Sequence, residues 1–195
     1  MAPRAYTLGQ RKVAAEETRR RIILAARDLL AHEEDTTSFT VELVARRAGV
    51  ARMTVYHQFQ SKRGLLEALF DELATRGLVP HLKPIFQASS PEQALEALIH
   101  AFAMFWESDR IVLRRARALA ALDPEFAESI RARDERRRDH LRNVLAPRPA
   151  AAASIDVLHM LTSFETYDAL LRSGRTFDEA TAVIRRLAGV MISSP

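Results

Sequence analysis

The chain has 195 residues, 48% of them hydrophobic and 28% charged, with a net charge of +4. It contains no cysteine, which excludes disulfides, thiolate metal sites and a cysteine nucleophile, and is compatible with a reducing compartment. No apolar run approaches the ~18 residues of a membrane span, and the N-terminal MAPRAYTLGQRKVAAEE lacks the apolar centre of a secretory signal, so a soluble, cytoplasmic protein is expected.

Alanine, leucine, arginine and glutamate dominate, and glycine is scarce. This composition predicts an all-α fold, with about nine helices in chain order. Residues 1–17 read as a polar arm carrying Arg4, Arg11 and Lys12. Residues 18–31 carry Ile22, Ile23, Ala26, Leu29 and Leu30 at amphipathic helical spacing. A polar break follows, and Thr40 is a good N-cap for a helix over 41–48, which Gly49 ends. A third short helix is expected over 51–59, and Ser61 can cap a fourth over 62–76. Pro80 and Pro84 make 78–90 a connection. Further helices are expected over 91–107, 111–122, 124–145, 151–172 and 177–192, with Pro124 in a favourable first-turn position.

Charge is spread unevenly along these elements. Residues 1–64 hold 12 basic and 7 acidic side chains, a net of +5, while the remainder holds 17 and 18, a net of −1. A basic front end on a near-neutral body suits contact with a polyanion, though an arginine-rich composition alone also produces such a bias. The run Arg19-Arg20-Arg21 spreads around its helix, so a solvated face is the default for most of it. The run RARDERRRDHLRN, residues 131–143, mixes signs and reads as the solvated face of a long helix.

The second and third helices are joined by a few residues around Gly49. Val41, Val44, Ala48, Val50 and Val55 are apolar, with the small Ala45 where two helices would cross closely. This is helix-turn-helix spacing, with Gly49 supplying the backbone freedom of the turn. With its apolar side packed, the third helix turns a polar and aromatic face outward, of a kind suited to the major groove. Ser61-Lys62 opens the next helix, where free amides and an ammonium together suit a phosphate.

The run FTVELVARRAGVARMTVYHQFQSKRGLLEAL, residues 39–69, resembles the DNA-binding domain of TetR-family transcriptional regulators. The A-x-x-A-G-V turn followed by T-V-Y-x-x-F-x-S-K-x-x-L-L carries the resemblance, and TRRRIILAARDLLAHE resembles the family's first helix. The resemblance implies an arm over 1–17, a helix-turn-helix domain over 18–64 and a helical effector-binding and dimerisation domain over 65–195. It implies that Thr40, Arg52, Met53, Thr54, Tyr56, His57 and Lys62 meet DNA. Thr40 would offer its hydroxyl or helix amides to phosphate, and Tyr56 and Lys62 would bond to the backbone. Arg52, Met53, Thr54 and His57 would lie where bases or sugar-phosphate are read. Each also has a plainer reading, as a core residue for Tyr56 and as solvated surface for the others. Met53 replaces a commoner small or polar residue, His57-Gln58 reverses a frequent order, and Gly64 replaces a frequent Glu, which removes a capping box with Ser61. The basic arm would enter the minor groove or have no role.

In the C-terminal part, Phe102, Phe105 and Trp106, with Met104 and His100 nearby, either line a ligand cavity or pack as ordinary core. His159 and Phe164 complete the candidate effector set. Thr162, Glu165, Asp168, Arg114 and Arg117 are further polar candidates. The last two helices carry more apolar surface than one core stripe needs, which by the resemblance joins two subunits. Charged residues at Leu161 and Ile184 are then expected to break the dimer.

The expected function is a DNA-binding regulator, a homodimeric repressor on a near-palindromic operator, answering to a small apolar or amphipathic effector. The alternative is a DNA-anchored regulator whose C-terminal bundle binds a protein. An enzyme is not expected, since the chain has no His-x-x-x-His pair, glycine-rich phosphate loop or G-x-S-x-G run. No metal or other cofactor is expected.

Overall fold

The computed structural model of the chain describes residues 4–32, 39–147 and 154–193. Among the described residues every regular element is helical: α1 (Arg4–His32), α2 (Val41–Ala48), α3 (Arg52–Phe59), α4 (Lys62–Gly77), a 3-10 turn (Val79–His81), α5 (Lys83–Gln87), α6 (Pro91–Ser108), α7 (Arg110–Ala121), α8 (Pro124–Leu145), α9 (Ile155–Leu161), α10 (Phe164–Arg172) and α11 (Phe177–Ser193). The all-α expectation therefore holds. The helices form two compact units, residues 1–72 with 114–126, and residues 73–113 with 127–195.

Three expected elements differ. Helix α1 begins at Arg4 rather than residue 18, so much of the supposed arm is helical. Residues 10–17 bury nothing, but they are rich in Ala, Glu, Gln, Lys and Arg, and good helix formers prolong a helix already nucleated by the packed turns beyond them. The connection at 78–90 contains the 3-10 turn and the short α5, each opened with a proline in its first turn. The helix expected over 151–172 is two helices. Thr162 bonds back to the Leu158 carbonyl at 2.9 Å, while Ser163 turns extended and accepts the Thr166 N–H at 3.1 Å as a fresh N-cap. The polar break at 33–38 and the start of that segment at 151–153 lie outside the described residues.

The first unit is built on the apolar stripe read from the sequence. Ile22, Ile23, Ala26, Leu29 and Leu30 of α1 are buried, with Val41, Val44, Ala45 and Ala48 of α2 and Val55 and Phe59 of α3. Burying a side chain of the Leu or Ile class contributes roughly 1.5–3 kcal/mol, so this shared core, rather than helix propensity, holds the two-turn helices α2 and α3. Helix α4 adds Leu65, Leu66, Leu69 and Phe70, and Phe70 meets Phe126 edge-to-face at 6.0 Å. Arg115 Nη1 donates to the Leu30 carbonyl at 2.8 Å, satisfying an orphan acceptor in the last turn of α1.

In the second unit α6 is central. Leu95, Leu98, Ile99, Phe102, Phe105 and Trp106 are all buried, a set too wide for one stripe and typical of a helix covered on several sides. Helices α5, α10 and α11 pack on it.

Candidate nucleic-acid interface and ligand groove

Local chemistry defines α2 at both ends. Thr40 is extended, and its hydroxyl accepts the Leu43 N–H at 3.2 Å. At the other end Gly49 takes φ 64°, in the left-handed region. Its N–H bonds to the Arg46 carbonyl and that of Val50 to the Ala45 carbonyl, at 3.2 and 3.0 Å. These two bonds form the Schellman closure that stops a helix and aims the chain into the next one.

Helix α3 buries Val55 and Phe59 and leaves the rest of its surface available. Arg52, Met53 and His57 are exposed, Met53 by 61%, while Thr54, Tyr56 and Gln58 are half-buried. Arg52 Nη2 donates to Tyr56 Oη at 3.2 Å, and its guanidinium carbon stands 5.4 Å from the Tyr56 ring centroid. The hydrogen bond to Tyr56 raises the Arg52 pKa, so the group keeps its full charge. The pair holds one arginine in an extended, stacked posture, with guanidinium donors left for an acceptor such as a base edge or phosphate.

The turn after α3 is tight. Gln60 takes φ 65° without being glycine, and the Ser61 N–H reaches the Phe59 carbonyl at 2.7 Å. A Cβ at residue 64 would collide with the same Phe59 oxygen, so the glycine there fits the turn. Half of the capping box survives its absent glutamate, since Ser61 Oγ accepts the Gly64 N–H at 3.0 Å. Lys62 opens α4, and its Nζ lies 5.5 Å from the ring centroid of Phe39, the residue before Thr40. The α4 N-terminus thus carries an ammonium that reaches toward the residue preceding the α2 cap. That combination suits a phosphate.

Arg19, part of a run whose default was a solvated face, is half-buried instead. Its Nη1 donates to the Gln58 carbonyl at 3.1 Å, and its guanidinium carbon stands 4.5 Å over the Phe59 ring. Arg20 and Arg21 are exposed, as are Arg11 and Lys12; the side chain of Arg4 lies outside the described residues.

The candidate effector residues come together, but as packed core. Phe102, Phe105 and Phe164 surround Trp106 at ring-centroid distances of 5.7, 4.6 and 5.7 Å, and all four are at most 6% exposed. Trp106 Nε1 donates to the Thr162 carbonyl at 3.0 Å, at the break between α9 and α10. The void beside this cluster is about 10 Å³, at the limit of what one water fills. His159 stands at its edge, with Nε2 2.9 Å from Arg137 Nη2 and Nδ1 3.3 Å from Arg138 Nη2. Burial first, then the Arg137 charge, holds its pKa below 6.5.

Arg137 departs from the solvated face expected of residues 131–143. It is 3% exposed, donates to Asp134 Oδ1 at 2.8 Å, and faces the Phe102 and Trp106 rings at 5.9 Å each. A charge buried this far needs a carboxylate and aromatic faces around it, and both are supplied. Neighbours in that run, such as Arg131 with Glu128 and Arg142 with Asp139, do form surface pairs. Of the other polar candidates, Asp168 is buried between Arg110 and Arg172 at 3.5 and 3.3 Å, Glu165 is exposed, and Arg114 and Arg117 belong to the first unit.

Ligand-sized space lies elsewhere in the second unit. A groove of about 440 Å³ runs between α5, α6 and α8, with Ile85, Phe86, Ala94, Leu98, Phe102 and Val144 among its walls. Its polar groups are Ser89, Ser90, His140 and Asn143, and among the described residues that line it none is Asp, Glu, Lys or Arg. Of the five candidate residues only Phe102 reaches it.

Fold and site together define a helix-turn-helix protein with a second, helical unit. Residues 22–69 match the family model of bacterial regulatory proteins, tetR family. The match covers 48 residues, from the packed turns of α1 through the helix-turn-helix into α4. The chain is 29% identical over 113 residues to the HTH-type transcriptional regulator BetI of Cronobacter sakazakii (strain ATCC BAA-894), a match spanning 50% of this chain and 56% of that protein. Its fold is similar to that of a transcriptional regulator from Rhodococcus sp. Rha1, with TM-score 0.70 at 22% identity, covering 89% of this chain and 95% of the other. It is also similar to the multidrug binding protein EbrR complexed with imidazole, with TM-score 0.64 at 20% identity and 92% of each chain covered.

Proposed function

We propose that the protein is a transcriptional repressor that binds a near-palindromic operator as a homodimer and releases it on binding a small effector. The observation that carries this reading is the outward face of α3, with Arg52 and Tyr56 stacked and Met53 and His57 exposed beside them. Arg52, Met53, Thr54 and His57 read bases, while Tyr56, Lys62 and the Thr40 helix terminus hold phosphates. Phosphate contacts supply most of the affinity and make it fall steeply with salt. Selection of bound duplexes from a random pool tests this. A near-palindromic consensus with half-sites about one helical turn apart is expected; a pool that remains random after selection overturns it.

Dimerisation is assigned to the apolar surface left on α9 and α11. Val157, Met160, Leu187 and Val190 are 36–57% exposed. Leu161 and Ile184, singled out on sequence, are 6% and 3% exposed and belong to the subunit's own core. The effector is assigned to the groove between α5, α6 and α8 rather than to the filled aromatic centre. Described walls that are apolar with a few uncharged polar groups favour a largely apolar molecule with a few hydrogen-bonding groups, and Ser89, Ser90, His140 and Asn143 orient it. The similarity in fold to a protein bound to imidazole is in keeping with a ligand role for the second unit. An effector matters only if it favours the conformation that cannot bind DNA. Helix α4, which begins with Lys62 in the first unit and ends in the second, is the proposed lever.

A further inference from the structure

Helices α2 and α3 are both eight residues long, yet their ends are secured differently. Helix α2 has a side-chain N-cap and a Schellman closure. The residue before α3, Ala51, has no side chain able to cap it, and the helix runs out into Gln60 at φ 65°, a conformation costly for a residue with a Cβ. The last carbonyls of a helix have no partner within it and carry the negative end of its dipole. In α3 the Tyr56 carbonyl receives the Gln60 N–H, and that of Phe59 receives the Ser61 N–H. The Gln58 carbonyl receives a guanidinium from another helix, Arg19 of α1, whose planar face also covers the Phe59 ring.

We propose that Arg19 is a positioning residue for DNA recognition: by bonding to the Gln58 carbonyl and stacking on Phe59, it fastens the C-terminal turn of α3 to α1 and thereby sets the attitude of the reading face. The idea rests on the DNA-binding reading above. Making both contacts at once needs the planar guanidinium, whose edge donates while its face lies over the ring. Lysine keeps the charge but has a point donor in place of the plate. The position differs in kind from Arg52 or Lys62, because its donor is turned toward the protein's own backbone.

Arg19→Lys and Arg19→Ala test the proposal in the full-length protein. Affinity for the selected operator and for random duplex is measured across a salt series, and amide hydrogen exchange is followed without DNA. In both variants the preference for operator over random duplex falls about tenfold, the worth of one charged hydrogen bond. The salt slope stays at the wild-type value, and the Phe59 and Gln60 amides exchange faster while those of α2 do not. An Arg19→Lys protein with wild-type preference and wild-type exchange overturns the proposal. So does an Arg19→Ala protein whose salt slope drops by about one with preference intact, since that marks a phosphate contact. If the wild type selects no operator, the DNA-binding reading fails, and the exchange comparison still decides whether Arg19 fastens α3.

Discussion

Replacing Gly49 by alanine isolates the turn that joins α2 to α3. The glycine sits at φ 64°, and a Cβ built there meets no atom within 4 Å. The substitution therefore adds backbone strain without a clash. A non-glycine residue in the left-handed region costs roughly 1–2 kcal/mol. Alanine also narrows the unfolded ensemble, which returns ~0.4–1 kcal/mol where a site tolerates it. The net loss is about 1 kcal/mol, or ~2–4 °C in Tm for a chain of this size. Asparagine, which tolerates this region better, should lose less, and β-branched valine more. Urea unfolding followed by circular dichroism gives the ranking. Hydrogen exchange locates the loss at the Gly49 and Val50 amides, whose partners are the Arg46 and Ala45 carbonyls. Alanine as stable as glycine, or valine better tolerated than asparagine, would refute the argument, because no packing change is available to explain either.

The remaining predictions concern binding, assembly and pH. Lys62→Ala should weaken binding to every duplex alike and shallow the salt slope by about one, whereas Arg52→Ala should lose operator preference more than total affinity; equal losses on specific and random DNA for Arg52→Ala would contradict its reading role. Met160→Glu with Leu187→Glu should yield a folded monomer in light scattering, while Leu161→Glu should unfold the second unit, and a persistent dimer in the first case would mean a different interface. Ala94→Phe should fill the groove and abolish effector response with operator binding retained, as read by titration with a library of neutral apolar compounds. His159 has its folded pKa held below the unfolded value, so the unfolded chain takes up the proton first and stability falls as pH drops through about 6.5. His159→Gln should flatten part of that fall in a thermal-melt series between roughly pH 7.5 and 5, with His100, whose pKa is also lowered by burial, adding to it; an unchanged pH profile would count against the burial of His159 as the cause.

The order of helices and the turn between α2 and α3 were legible because they depend on near neighbours. Thr40 caps at a distance of three residues, Gly49 alone supplies the left-handed angle, and the stripe from Ile22 to Leu30 repeats with the helix itself. The helical reach of α1 was not legible, since residues 10–17 carry no apolar period and only extend a helix nucleated by the packed turns after them. Chain-local pattern also could not separate a buried arginine from its solvated neighbours. Arg131, Arg137 and Arg142 sit in one charged run, yet only the approach of Phe102, Trp106 and His159 from other helices makes Arg137 interior.

By itself, then, the sequence determined the helical class, the helix-turn-helix and which residues stand on its outer side, because period, caps and turn angles are written within a few residues of one another. Tertiary structure alone decided that the aromatic set around Trp106 is closed, that space opens instead beside Phe102 and His140, and that Arg19 reaches across to Gln58. Those outcomes turn on which distant side chains meet, and spacing along one helix says nothing about what fills the volume facing it.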